Sequence, residues 1–322
     1  MEFGLSNEHK MMQSAVRDIT AEYDKAYWQD VHEKRRPPEE IFADLAEGGW
    51  FGAPLPEEYG GQGLDLLDTV VILEALCEGY AWETTFRFTM STVFGGISLV
   101  ENGTEAQKEV YLPGIAHGED AWALGMTEPD AGLNSSRIST LAERDGDEYV
   151  IDGRKQWISG MEFADHLLLV ARTKPFEEAD RKFDGITLFI VDPETDGIEY
   201  SEIPLDIYYT EPTYDLFIED LRVDEDQVLG EVGNGMYQIF GMLNVERITA
   251  ALSGWGAGKE ALDTAVQYAK DREVWSEPIG AHQAIQHPLA EAHAKMESAR
   301  TELRKAAWQY DNGVGDVGEV SN

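Results

Sequence analysis

Met126-Thr127-Glu128-Pro129-Asp130-Ala131-Gly132, answered after a strand-like alternation by Gln156-Trp157-Ile158-Ser159-Gly160, decides the reading of this chain. Both blocks offer a hydroxyl and a glycine, and the second adds one large aromatic. Such residues suit a flat, polar-edged cofactor that carries phosphates. Hydroxyls bond the ring edge, an aromatic packs beside the ring, and backbone N–H groups near a glycine receive a pyrophosphate. Thr127 and Ser159 fit the first role, Trp157 the second and Gly132 the third. Taken singly, Trp157 also fits a core aromatic and Thr127 a turn cap; the combined spacing favours a site.

Outward from these blocks the chain changes rhythm twice. Over 119–233 apolar residues alternate at period two. Strands are expected over 121–126, 140–144, 148–157, 166–173, 185–191 and 198–203, with two more inside 213–229. The pattern reads as a small antiparallel barrel or sandwich. Over 1–118 the pattern is helical. Ser6 caps a first helix through Val16 and Ile19, and Pro37-Pro38 opens a second that Gly48-Gly49 stops. An apolar helix follows through Val70, Leu73 and Leu76, with further helical runs over 90–99 and 105–112. Over 234–322 the helical spacing returns, with one helix to about Lys270 and another over 281–310 that Pro288 interrupts. The tail from Gly313 reads as frayed. The fold expected is α+β, an N-terminal helical domain, a middle β domain and a C-terminal helical bundle.

Lysine and arginine number 25 against 62 aspartates and glutamates, a formal charge of −37 with a pI near 4.3. A field of that sign repels nucleic acid and anionic lipid surfaces, so neither is an expected partner. The acids are dispersed, which reads as adaptation to a salt-rich cytosol, where a Debye length of about 3 Å at molar salt screens self-repulsion. The single cysteine, Cys77, lies in an apolar run and reads as a packed small hydrophobe in a reducing interior. The N-terminal residues lack a signal-peptide pattern, and no apolar run approaches a membrane span, so a cytoplasmic location is expected. The seven histidines show no metal-ligand spacing, and no Walker or Rossmann glycine motif is present.

The two opening blocks resemble the flavin-binding signature of the acyl-CoA dehydrogenase family. So do Pro56-Glu57-Glu58-Tyr59-Gly60-Gly61-Gln62-Gly63 and the run Arg272 to His287, which carries Pro278-Ile279 and Gln283-Ala284-Ile285-Gln286-His287. The resemblance extends along essentially the whole chain, in a form that is haloarchaeal-like in its acidity and shortened at the C-terminus. It implies an FAD enzyme that converts an acyl-CoA to the trans-2-enoyl-CoA and passes electrons to an electron-transferring flavoprotein. It also implies a homo-oligomer, of tetrameric type, or a heteromer with a related subunit. By resemblance Met126, Thr127, Gly132, Trp157 and Ser159 hold the flavin. Arg272 reaches a neighbouring subunit's pyrophosphate, with Trp275 where the family usually has phenylalanine. The family's Ala-Gly-Ser-Asp is here Ala131-Gly132-Leu133-Asn134, so Leu133 removes a phosphate hydroxyl that Asn134, Ser135 or Ser136 must replace.

Removing the α-proton requires a carboxylate. Most of the family draw it from near the C-terminus, a region this sequence does not reach. A minority use a glutamate just before an arginine on the helix after the β domain. Leu243-Asn244-Val245-Glu246-Arg247 matches that position, which makes Glu246 the expected base and Asn244 and Arg247 the expected substrate contacts. Helical spacing sets Glu246 at the edge of an apolar stripe, where desolvation strengthens a carboxylate as a base. Three alternatives stay open: a non-catalytic or half-site subunit, an oxidase or monooxygenase built on the same flavin site, and a truncated inactive fragment.

Overall fold

The computed structural model describes residues 4–205 and 210–314. In chain order it has α1 (Asn7–Thr20), α2 (Lys25–Lys34), α3 (Glu39–Glu47), α4 (Leu66–Glu78), α5 (Thr84–Phe88), α6 (Ser98–Asn102) and α7 (Glu105–Ala116). Then come β1 (Trp122–Gly125), β2 (Leu141–Asp145), β3 (Glu148–Ser159), β4 (His166–Arg172), β5 (Ile186–Val191), β6 (Ile198–Glu202), β7 (Thr213–Asp224) and β8 (Val228–Leu229). The long α8 (Gly235–Asp271), the short pair β9 (Glu273–Val274) and β10 (Glu277–Pro278), and α9 (Gln283–Asp311) close the chain. The order is helical, β, helical, and it forms two compact units. One gathers Met1–Asp24, Leu64–Phe86 and Arg247–Asn322; the other holds Lys25–Gly63 and Arg87–Glu246.

In the first unit, α1 and α4 start from capping boxes at Ser6 and Asp65. The α4 helix is apolar nearly all round and therefore buried, and its Val70, Leu73 and Cys77 are fully covered. The α9 helix ends against its start, because the Asp311 carboxylate accepts the Leu66 and Leu67 amides at 2.9 Å each. Glu74, fully buried on α4, accepts the Arg304 guanidinium at 2.6 and 3.0 Å. Gly256 sits where a Cβ would fall 2.4 Å from Trp82 and 2.8 Å from the Cys77 sulfur, so only glycine allows α8 that close to α4.

In the second unit an eight-stranded sheet runs β6-β7-β3-β2-β4-β5-β8, with β1 paired to β4. Its ladders are antiparallel except for β1 with β4 and a single parallel register between β2 and β4. Alternate residues of β3, β4, β5 and β7, among them Tyr149, Ile151, Leu167, Phe189, Leu216 and Leu221, form its core. Between α5 and α6 the helix widens into π turns over Thr89–Ile97.

Most of the helices and strands expected from periodicity are present, and the differences are local. The α2 helix was not anticipated, because it buries only Trp28 and Val31 and so shows little stripe. One twelve-residue strand, β7, replaces most of the expected strand pair, and β8 has only two residues. The α9 helix continues through Pro288. That proline is early in the helix and withholds only the bond that would reach Ala284. Residues 315–322 of the expected frayed tail lie outside the described residues. No helix among the described residues is long and apolar enough to cross a membrane.

Candidate functional site

The two sequence blocks meet in space. The Gln156 amide donates to the Thr127 carbonyl at 2.9 Å, and Lys155 Nζ donates to the Met126 carbonyl at 3.2 Å. The β3 strand pairs with β7 but slips register between Lys155 and Ile158, forming a bulge. At that bulge Trp157 adopts φ 65°, a left-handed conformation that a bulky residue rarely takes. The twist turns the indole outward, leaving it 51% exposed. Ile158 beside it is buried, and Ser159 ends the strand half-buried, opposite Thr213. Trp157 thus faces outward next to the backbone that bonds Thr127, and both Thr127 and Ser159 are half-buried.

The other end of the first block is a tight turn. Glu128 and Ala131 exchange both backbone bonds at 3.1 Å, with Pro129 and Asp130 at the corner. A Cβ added at the exposed Gly132 would meet nothing within 4 Å, so the space before this backbone is open to a ligand. Leu133 is fully exposed and offers no hydroxyl. Of the expected substitutes, Ser136 spends its hydroxyl on Asn134 Oδ1 at 2.6 Å, which leaves the exposed Asn134 amide nitrogen and the half-buried Ser135 hydroxyl as groups able to donate.

Beneath these loops lies a buried ionic cluster that the sequence reading missed. Lys155 Nζ donates to Glu128 Oε1 at 2.8 Å. The Glu128 carboxylate also accepts the Ser139 amide and hydroxyl, both at 2.7 Å, and those of Thr140, at 2.9 and 2.6 Å. Burial pushes the Glu128 carboxyl up, but the Lys155 ammonium and these donors outweigh it and hold the group at about 2. Burial pulls the Lys155 ammonium down to about 8 despite Glu128 beside it. The available signal was a lysine at an inward position of β3, in step with Tyr149 and Ile151.

The α8 helix carries the expected base region. Its buried face runs through Met242, Val245, Ile248 and Leu252, and Asn244, Glu246 and Arg247 are half-buried beside it. Ser98 Oγ lies 2.7 Å from Met242 Sδ, and a Cβ at Gly241 would fall 3.0 Å from Glu101, so this part of α8 packs on α6. Glu246 follows Met242 by one turn and ends the second unit; Arg247 opens the next segment of the first. Arg272 and Trp275 also belong to the first unit, where β9 and β10 form a hairpin. Its two turn residues, Trp275 and Ser276, have φ 55° and 69°, a turn geometry usually given to asparagine and glycine. Arg272 is exposed, and Trp275 at the tip is 87% exposed. Among the described residues no group of three His, Cys, Asp or Glu side chains is placed to hold a metal.

A β layer that projects a tryptophan outward, with Thr127 and Ser159 on the adjoining backbone and an open glycine turn, fits an isoalloxazine and its pyrophosphate, the equipment of a flavin-dependent oxidoreductase. Comparisons with known proteins agree. The acyl-CoA dehydrogenase N-terminal, middle and C-terminal domain profiles match residues 6–119, 123–221 and 233–322. Acyl-CoA dehydrogenase FadE12 of Mycobacterium tuberculosis is 37% identical over 308 residues, which is 96% of this chain and 78% of that protein. A solved glutaryl-coenzyme A dehydrogenase with glutaryl-CoA superposes with a TM-score of 0.90 at 31% identity, covering 97% of this chain and 78% of that one. A chain in the structure of the electron transferring flavoprotein of Acidaminococcus fermentans gives 0.91 at 28% identity, covering 100% and 83%. The chain belongs to the acyl-CoA dehydrogenase family. It is an oxidoreductase of that family, and its cofactor is FAD.

Proposed function

We propose that this protein oxidises an acyl-CoA thioester to its trans-2-enoyl-CoA. The observation that carries the reading is the meeting of Met126-Thr127 with Gln156-Trp157, with Trp157 turned outward by its left-handed bulge. FAD, when bound, would supply the hydride acceptor for the β-carbon. Thr127 and Ser159 would bond its ring edge, Trp157 would pack beside it, and the backbone from Met126 to Gly132 with the Asn134 amide would receive its polar groups. Glu246 takes the α-proton, and Asn244 and Arg247 orient the thioester. The hydride and the proton leave from adjacent carbons, so one double bond forms and the charges balance. Arg272 and Trp275 reach the flavin of a second copy in a homo-oligomer. The three-domain division at 1–118, 119–233 and 234–322, a cytoplasmic setting, salt-rich conditions and transfer of electrons to an electron-transferring flavoprotein complete the proposal. The last is supported by the likeness to a chain from a structure of such a flavoprotein.

The test is a visible spectrum of the chain in molar salt, followed by turnover of an acyl-CoA with an artificial electron acceptor. Glu246→Gln is expected to keep the flavin band and lose turnover by at least about a hundredfold, in line with removing a general base. Retained turnover eliminates Glu246 as the base. A second reading, a half-site subunit, rests on the exposed Leu133 in the cofactor loop. A colourless folded chain that also fails to take up added FAD would favour it.

A further inference from the structure

The loop after Gly132 has no sheet partner until β2 begins at Leu141, and two buried charges hold it instead. Arg172, at the end of β4, is 1% exposed. Its guanidinium donates to the carbonyls of Ile138 at 2.7 Å and Ser136 at 2.7 Å. It also donates to the carbonyls of Asp184 at 2.9 Å, Lys182 at 3.1 Å and Lys174 at 3.4 Å. Glu128 holds the same loop through its N–H and hydroxyl groups, at Ser139 and Thr140. Lys155 then ties Glu128, and the Met126 carbonyl, to β3 two residues before Trp157.

We infer that Glu128, Lys155 and Arg172 act together as positioning residues for the flavin. They fix the turn 126–131, the loop 132–140 and the Trp157 bulge in one geometry, and they place two cations and one anion beneath that site. The inference rests on the proposed contacts of these loops with FAD. Three features support it. The cluster joins the cofactor segments, while the core of the sheet is apolar without it. Burial works against both cations, so a fold selected for stability alone gains little from them. A net positive buried group in a chain of −37 gives the pyrophosphate and the reduced flavin a local field opposite to the surface.

The test uses the full-length protein in molar salt, with FAD affinity by fluorescence titration, flavin midpoint potential and circular dichroism as readouts. Trp157→Ala and Thr127→Ala come first; if neither weakens FAD binding, the site reading itself fails. Lys155→Met and Arg172→Lys are then compared with the parent. Arg172→Lys keeps the charge but loses the fork. The expected result is a folded protein whose FAD affinity falls on the order of tenfold or more, as when supporting partners of a bound group are removed. Lys155→Met also lowers the midpoint potential. If Lys155→Met does not fold, the double change Glu128→Gln with Lys155→Met, which removes both charges of the Glu128–Lys155 pair together, decides the question by the same readouts. Variants that lose thermal stability but bind FAD at parental affinity and potential would overturn the inference and leave the cluster a purely structural one.

Discussion

Trp157 occupies a backbone region that costs a non-glycine residue about 1–3 kcal/mol. Trp157→Gly is therefore expected to hold or raise the melting temperature while weakening FAD binding, and thermal scans beside a flavin titration would show the two effects diverge. Glu128 gives a pH signature. Its carboxyl is held at about 2 against an ordinary 4.5, so its contribution of about 3 kcal/mol is complete above 4.5 and lost as pH falls from there toward 2. Lys155, drawn from 10.5 to about 8, costs a similar amount below pH 8, a cost relieved as pH rises from 8 to 10.5. Burial opposes the charge on both partners, so the pair is weak evidence of stability. Acid unfolding of Glu128→Gln is expected to be flatter between pH 4.5 and 2 than that of the parent. At this scale the sequence singled out Thr127, Trp157 and Ser159 by their spacing, and the structure brings the Thr127 and Trp157 segments together. It hid Arg172, because carbonyl partners at 136, 138, 174, 182 and 184 follow no periodic pattern.

Elements were legible where apolar residues run together or a capping residue opens a helix. The apolar runs of α4, β4 and β5 and the cap at Ser6 declare themselves locally. The bulge in β3 does not, since a register slip depends on the partner strand as much as on its own residues. The docking of α9 is equally non-local: Asp311 caps α4 from the far end of the chain. Asp311→Ala removes two charge-assisted bonds to a helix N-terminus and is expected to cost about 1 kcal/mol, read as a lower denaturation midpoint at unchanged m-value. Glu74→Leu is expected to be more damaging. It strands Arg304 beside an apolar side chain, and breaking such a pair costs about 3–5 kcal/mol.

Across the whole molecule, 62 acids against 25 lysines and arginines make self-repulsion a bulk property. Raising salt from about 0.1 M to 1 M shortens the Debye length from about 10 Å to about 3 Å and relieves the surface. The melting temperature is therefore expected to climb with sodium chloride, and acyl-CoA turnover with it, because the substrate is itself polyanionic. Falling stability over that range would contradict the reading of the surface. The buried Glu128–Lys155 pair stands outside the effect, since mobile ions do not reach it.

Cys77 is the one thiol in the chain, and it lies wholly inside the first unit with its sulfur 3.3 Å from the Leu252 carbonyl. Burial pushes its thiol far above the ordinary range, so it is protonated and out of reach while α4 and α8 stay packed. The protein thus carries its own gauge of opening. A thiol reagent reacts only in molecules whose first unit has loosened, and the labelling rate against the rate for the unfolded chain converts directly to the free energy of that excursion. A single colour change would then follow breathing of the helical unit in any salt, with or without flavin, and with no probe added to the sequence.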